Sequence, residues 1–137
     1  MKKYEQIDIS GDVGLRISGQ SLEELFENAA EGLFELITDQ TKISEKEIRE
    51  IHVVADNSES LLVQWLNELI FLFDTYNLVG KSFSVSIHGN SLKAEISAGI
   101  FDPAISESRL LIKAATYHNI SLKQVNSIWR AEIIFDI

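Results

Sequence analysis

Two carboxylates stand side by side at the end of the sequence, the side chain of Asp136 and the terminal group of Ile137. Hard divalent cations such as calcium and magnesium take oxygen ligands of this kind. Asp12, in the small-residue connection Ser10-Gly11-Asp12, supplies a third carboxylate if the last strand lies near the first. The competing reading is a solvated carboxylate on a frayed chain end. Lys113 is the one charge in the apolar run from Leu110 to Ala115. It either snorkels to solvent or pairs with a carboxylate, and only the second would put it in a site. His118, which follows Thr116-Tyr117, either donates to a carboxylate or caps a turn. His52 and His88 fall on strand patterns whose neighbours suggest no chemistry.

The elements that must position these groups are set by apolar spacing. Tyr4 to Ile9 and Val13 to Ser18 read as strands, the second alternating Val13, Leu15 and Ile17 against Gly14, Arg16 and Ser18. Ser21 with Glu24 forms a capping box that opens a helix to about Ile37, and Ile48 to Ala55 reads as a strand. Ser58 to Leu78 predicts a central helix buried on nearly every side, with Gln64, Asn67, Glu68 and Asp74 as its narrow polar stripe. Its uninterrupted apolar run, Leu69 to Phe73, falls far short of the roughly 18 residues of a membrane span.

Lys81 to His88 and Leu92 to Ala98 form a hairpin about Gly89-Asn90, followed by a surface loop at Phe101-Asp102-Pro103. Arg109 to Tyr117 fits helix or strand, and its short length between Ser and Asn residues favours strand. Ser121 to Val125 and Ile128 to Phe135 make a last hairpin about Asn126-Ser127. The candidate carboxylates therefore depend on where that last strand pairs.

A chain of 137 residues, 45% of them hydrophobic, fits one domain over residues 1–137 that can bury its own core. The absence of cysteine removes disulfides, thiolate zinc sites and cysteine nucleophiles. A formal charge of -9 opposes contact with a phosphate backbone, so direct nucleic-acid binding is not expected, whereas a basic partner or a divalent cation is easily accommodated. MKKYEQIDI carries no apolar run behind its lysines, which makes a cytoplasmic protein the expectation and a membrane anchor not. Phosphate-loop, dinucleotide, hydrolase-elbow and zinc-protease motifs are all missing. These residues by themselves indicate an acidic α+β domain with a candidate carboxylate site.

Five segments stand out together: Asp12-Val13-Gly14-Leu15, Leu66-Asn67-Glu68-Leu69 with Leu72-Phe73-Asp74, Phe101-Asp102-Pro103, Lys113-Ala114-Ala115-Thr116-Tyr117-His118, and the terminal Asp136-Ile137. In this order and spacing they resemble the archease family, small proteins that assist the RtcB-type tRNA-splicing RNA ligase. The resemblance implies a two-layer α+β sandwich, with two main helices packed on a mixed, mostly antiparallel β-sheet. It also implies a non-enzymatic, metal-binding cofactor that promotes guanylation and multiple turnover of an RtcB-type ligase in tRNA splicing or RNA repair. Carried over by position, Asp12, Asp136 and Ile137 fall on the family's metal site, with calcium the first choice of ion and magnesium or manganese the alternatives. Lys113 falls on its functional lysine, and His118 matches the pattern. The chain departs from that pattern at Ile9 and Ser106, where the family has histidines. A general chaperone or protein-binding module and a metal-dependent phosphoester hydrolase are the alternatives, and a homo-oligomer is left open.

Overall fold

The computed structural model describes residues 2 to 137. The first strand, β1 (Tyr4–Ile9), turns into β2 (Asp12–Gly19) through only two residues, Ser10 and Gly11, at φ 51° and 88°. Two successive positive φ angles give the turn whose twist matches that of the flanking strands. Asp12 is thus the first residue of β2, paired with Ile9, rather than part of the connection.

Val13, Leu15 and Ile17 are buried beneath α1 (Leu22–Ile37), which sets Leu25, Phe26, Ala29, Leu33 and Phe34 against them and the rest of the core. The predicted cap is present with one variation. Ser21 Oγ accepts from the Glu24 N–H at 3.0 Å, while the Glu24 carboxylate reaches back to the N–H of Gln20 at 3.2 Å.

After a short 3-10 turn (Gln40–Lys42) come β3 (Glu47–Val54) and α2 (Ser58–Tyr76). Asn57 caps α2 by accepting from the Ser60 N–H at 2.8 Å. Asn77, left-handed at φ 57°, closes it by donating to the carbonyls of Leu72 and Phe73. The next strand, β4 (Leu78–His88), begins at once, earlier than the predicted Lys81, because Leu78 and Val79 are buried and pair with Ile100 and Gly99 of β5 (Ser91–Ile100). The helix is less enclosed than its apolar circumference predicts. Phe71 lies on the same stripe as Gln64, Glu68 and Asp74 and is 52% exposed, and Tyr76 in the last turn is 46% exposed.

Of the run Arg109 to Tyr117, only β6 (Ala114–Ala115) is strand. The reason lies at the end of α1, where the last carbonyls lack helical partners. The N–H groups of Arg109 and Leu110 donate to Ile37 O and Leu36 O, each at 3.0 Å, so the chain follows the helix end before it can join a sheet. β7 (Ser121–Val125) and β8 (Ile128–Asp136) complete the chain.

Every strand pairing is antiparallel, and the strands divide into two sheets: β1-β2-β8-β6 with β7 also on β8, and β3-β5-β4. Both helices contact strands of both sheets, which makes the two-layer α+β arrangement. An aromatic group joins them. Trp65 of α2, fully buried, donates its indole N–H to the Phe26 carbonyl of α1 at 2.9 Å. Phe83 of β4 stacks on Phe34 with centroids 6.1 Å apart and meets Trp65 edge-on at 6.5 Å. Among the described residues no helix is long and apolar enough to cross a membrane.

Candidate functional site

The condition attached to Asp12 is met, because β2 pairs with β8. Val13 stands opposite Phe135 and Gly14 opposite Ile134, so one step further the register sets Asp12 across from Asp136 at the end of the sheet. Side chains directly opposite in an antiparallel pair share a face, so the alternation of the pleat puts both carboxylates on the face that carries Arg16 and Glu132. Gly14 lies in the next row. A Cβ there would come within 2.7 Å of the Ile133 carbonyl oxygen and 2.9 Å of Ile134 Cδ1, so the absence of a side chain lets Ile134 pack against β2 at Gly14.

Electrostatics differ along this face. In mid-sheet Arg16 bonds Glu132 at 2.8 Å and Glu5 at 3.0 Å, and these two carboxylates, Glu132 first, raise the guanidinium pKa above its ordinary value. At the sheet end Asp12 and Asp136 are exposed, and among the described residues neither side chain takes part in a hydrogen bond or ion pair. Their oxygens are therefore free to ligate. A set of free carboxylates fits a hard divalent cation. The described residues hold no cluster of three or more His, Cys, Asp or Glu side chains suited to a metal, so an ion here would draw further oxygens from water or from a partner.

Lys113 reaches the same end through the backbone. Its N–H donates to the Asp136 carbonyl at 2.8 Å, next to the pairing of Ala114 with Asp136. Its exposed ammonium makes no ion pair among the described residues. His118 is set apart. It occupies the turn between Thr116, whose N–H donates to Ile134 O at 3.0 Å, and Ser121, which pairs with Glu132. Its ring hydrogen-bonds the Asn119 side-chain amide, at 3.3 Å, and no other side chain among the described residues. Ser106 is tied into its own loop, its hydroxyl accepting from the Asp102 N–H at 3.0 Å while the Asp102 carboxylate accepts from the Ala104 N–H.

One positioning residue escapes a reading by chemistry. Asn67, on the polar stripe of α2, accepts from the Ala115 N–H at 2.8 Å and donates to the Ala115 carbonyl at 3.2 Å. This reciprocal pair fixes the Lys113 to Thr116 segment to the central helix, while Thr116 Oγ1 adds a bond to Ile134 O at 2.9 Å. A polar residue flanked by buried Leu66 and Leu69 is the signal in the sequence, yet nothing local reveals its partner. Asn67→Leu is expected to leave both Ala115 backbone groups unpaired, at a cost of about 1–3 kcal/mol. Thermal unfolding would register the loss, and hydrogen exchange at the Ala115 amide should accelerate; unchanged exchange there would remove the brace.

The model of the archease protein family matches residues 4–137. An archease from Pyrococcus abyssi is 37% identical to this chain over 142 residues, and one from Methanosarcina mazei is 36% identical over 141 residues; the first covers 100% of both chains, the second 99% of this chain and 97% of the relative. Among solved structures, Methanobacterium thermoautotrophicum protein 1598 superposes with a TM-score of 0.84 at 33% identity over 100% of both chains. A Thermotoga maritima archease, described as a possible chaperone, gives 0.70 at 25% identity over 97% of this chain and 96% of its own. With the family model spanning nearly all of the sequence and relatives above 30% identity aligned from end to end, the chain belongs to the archease family.

Proposed function

We propose that this protein is a metal-binding activator of an RtcB-type RNA ligase, acting in tRNA splicing or RNA repair without performing the ligation itself. The observation that carries the reading is the β2–β8 register, which brings Asp12 and Asp136 to one end of the sheet, with neither side chain in a hydrogen bond or ion pair among the described residues. Calcium is the first candidate ion, since a shallow, exposed set of oxygens without fixed octahedral geometry suits its flexible coordination better than magnesium's. Bound there, the cation would supply a concentrated positive charge on an otherwise acidic surface. Asp12, Asp136 and the Ile137 carboxylate would hold it, and Lys113, whose N–H donates to the Asp136 carbonyl, would add a cation at the same end of the sheet. Binding in this way favours a guanylation-competent state of the ligase by shifting a population rather than by a chemical step.

Calorimetric titration of calcium, magnesium and manganese tests the metal site. The chain ending at Ile137 should bind, and a version with residues fused after Ile137 should lose that binding, because extension converts the terminal carboxylate into an amide. Equal binding by both forms would remove Ile137 from the ligand set.

A protein-binding or chaperone role is a second reading, favoured by exposed apolar side chains in the segments on either side of β6: Ile105 is 83% exposed, Leu111 66% and Tyr117 55%. Suppression of aggregation of unrelated clients that is unaffected by Asp136→Ala would support it over the metal-dependent one.

A further inference from the structure

The two edges of the three-stranded sheet are treated differently. The β4 edge is occupied: the Glu27 carboxylate of α1 accepts from the Val85 N–H at 2.9 Å, and the strand carries a register shift between Gly80 and Ser82. The β3 edge carries charges at Glu47, Arg49 and Glu50 but, among the described residues, lacks a proline, a bulge or a covering element against pairing with another chain. Its eight residues contain no proline and no lysine, and their register with β5 is unbroken from Glu47–Ala98 to Val54–Ser91. Among the described residues no backbone group from Ile48 to Val54 bonds to any element other than β5. On the outer face Ile48 and Val54 are 64% and 62% exposed.

The charges on that face are segregated by row. Glu50 stands opposite Glu95, two like charges with no ion-pair partner among the described residues, and His52 stands opposite Lys93. The inner side adds no competing charge at the edge, because Arg49 pairs with Glu47 at 2.6 Å and lies 4.7 Å over the Tyr76 ring.

We infer that β3 is the docking edge for a second copy of this chain, paired antiparallel about a two-fold axis through Ile51. Only registers that keep outward residues opposite outward residues are allowed, and this one is self-complementary. It sets Ile48 against Val54 of the partner copy and Glu50 against its His52, each twice. The Glu95–Glu50 row of one copy then continues into the row of the other that holds Lys93 and His52, whose Nε2 meets Ser91 Oγ at 3.0 Å, so a cation joins the row of paired carboxylates. The two three-stranded sheets become one sheet of six strands. The area is small, which makes the association weak, and the net charge of -9 on each chain opposes it at low salt. Physiological ionic strength, where the screening length is about 8 Å, is the condition that reveals it. The inference is independent of the ligase reading, since the edge lies on the other sheet from Asp12 and Asp136.

Sedimentation velocity of the full chain, up to about 1 mM because the interface is small, tests it with Glu50→Lys and His52→Glu. The wild type should show a reversible monomer–dimer equilibrium. Each variant alone should associate at least about tenfold more weakly, since each places like or unmatched charges across the axis. An equimolar mixture of the two variants should recover wild-type association, because the introduced lysine of one chain then meets the introduced glutamate of the other, while the unsubstituted Glu50 and His52 keep their match. Both substitutions are at exposed positions, so circular dichroism should show unchanged folding. A wild type that stays monomeric throughout, single variants that associate normally, or a mixture that fails to recover would each overturn the proposal.

Discussion

Asp12→Ala is expected to abolish stimulation of a partner RNA ligase while leaving the fold in place. The side chain is exposed and makes no hydrogen bond or ion pair among the described residues, so its removal should change stability by no more than about 0.5 kcal/mol. The effect on a bound cation is much larger. Loss of a group that only orients a ligand costs about 10- to 100-fold in metal affinity, and loss of a ligand itself should cost no less. Calorimetry with calcium, an unfolding curve and a multiple-turnover ligation assay read the three quantities separately. Asp136→Ala should behave alike, because the β2–β8 register carries Asp12 and Asp136 to the same end of the sheet. Ligation stimulated at the wild-type level by Asp12→Ala protein, with metal binding lost, would separate the metal from the activation.

Trp65→Ala carries the largest expected loss of stability. Trp65 is completely buried, packs edge-on against Phe83 and bonds the Phe26 carbonyl, so it touches both helices and the three-stranded sheet at once. Truncating such a side chain costs about 3–5 kcal/mol through lost transfer energy and the cavity left behind. The Phe26 carbonyl keeps its place in the helical ladder of α1, so the broken indole bond adds little beyond that cavity. Against a total of about 5–15 kcal/mol, the loss should lower the melting temperature by roughly 10–20 °C. Trp65→Phe should recover more than half of it by refilling the space. A melting temperature within a few degrees of wild type for the alanine variant would show that the core closes around the gap.

Local chemistry made much of this architecture legible from the chain. Ser21 and Glu24 mark the start of α1 because a cap is satisfied by residues three and four apart, and Gly89-Asn90 and Asn126-Ser127 mark hairpins because turn geometry is decided within two residues. What stayed hidden depends on distant partners. Arg109 and Leu110 leave the strand pattern because carbonyls at the end of α1 claim their N–H groups, and no local window contains both ends of that contact. Phe71 reads as core by composition but faces solvent with Glu68 and Asp74. The division into two sheets is of the same kind, since it follows from β8 choosing β2. At the candidate site the carboxylates were readable from residue type, and the register added that Asp12 and Asp136 lie at the same end of the β2–β8 pair. Asn67 was invisible as a brace because its partner is the backbone of Ala115, 48 positions away.

The pairing of β2 with β8 also sets an order of events during folding. Contacts such as Arg16 with Glu132 join points 116 positions apart, whereas the β4–β5 hairpin closes over a two-residue turn. Closing the longer loop costs more chain entropy before any contact rewards it. The three-stranded sheet and α2 can therefore assemble early, and the five-stranded sheet is completed late. Asp12 and Asp136 meet only at that late step, so a partly folded chain presents the β3 edge before it possesses the carboxylate site.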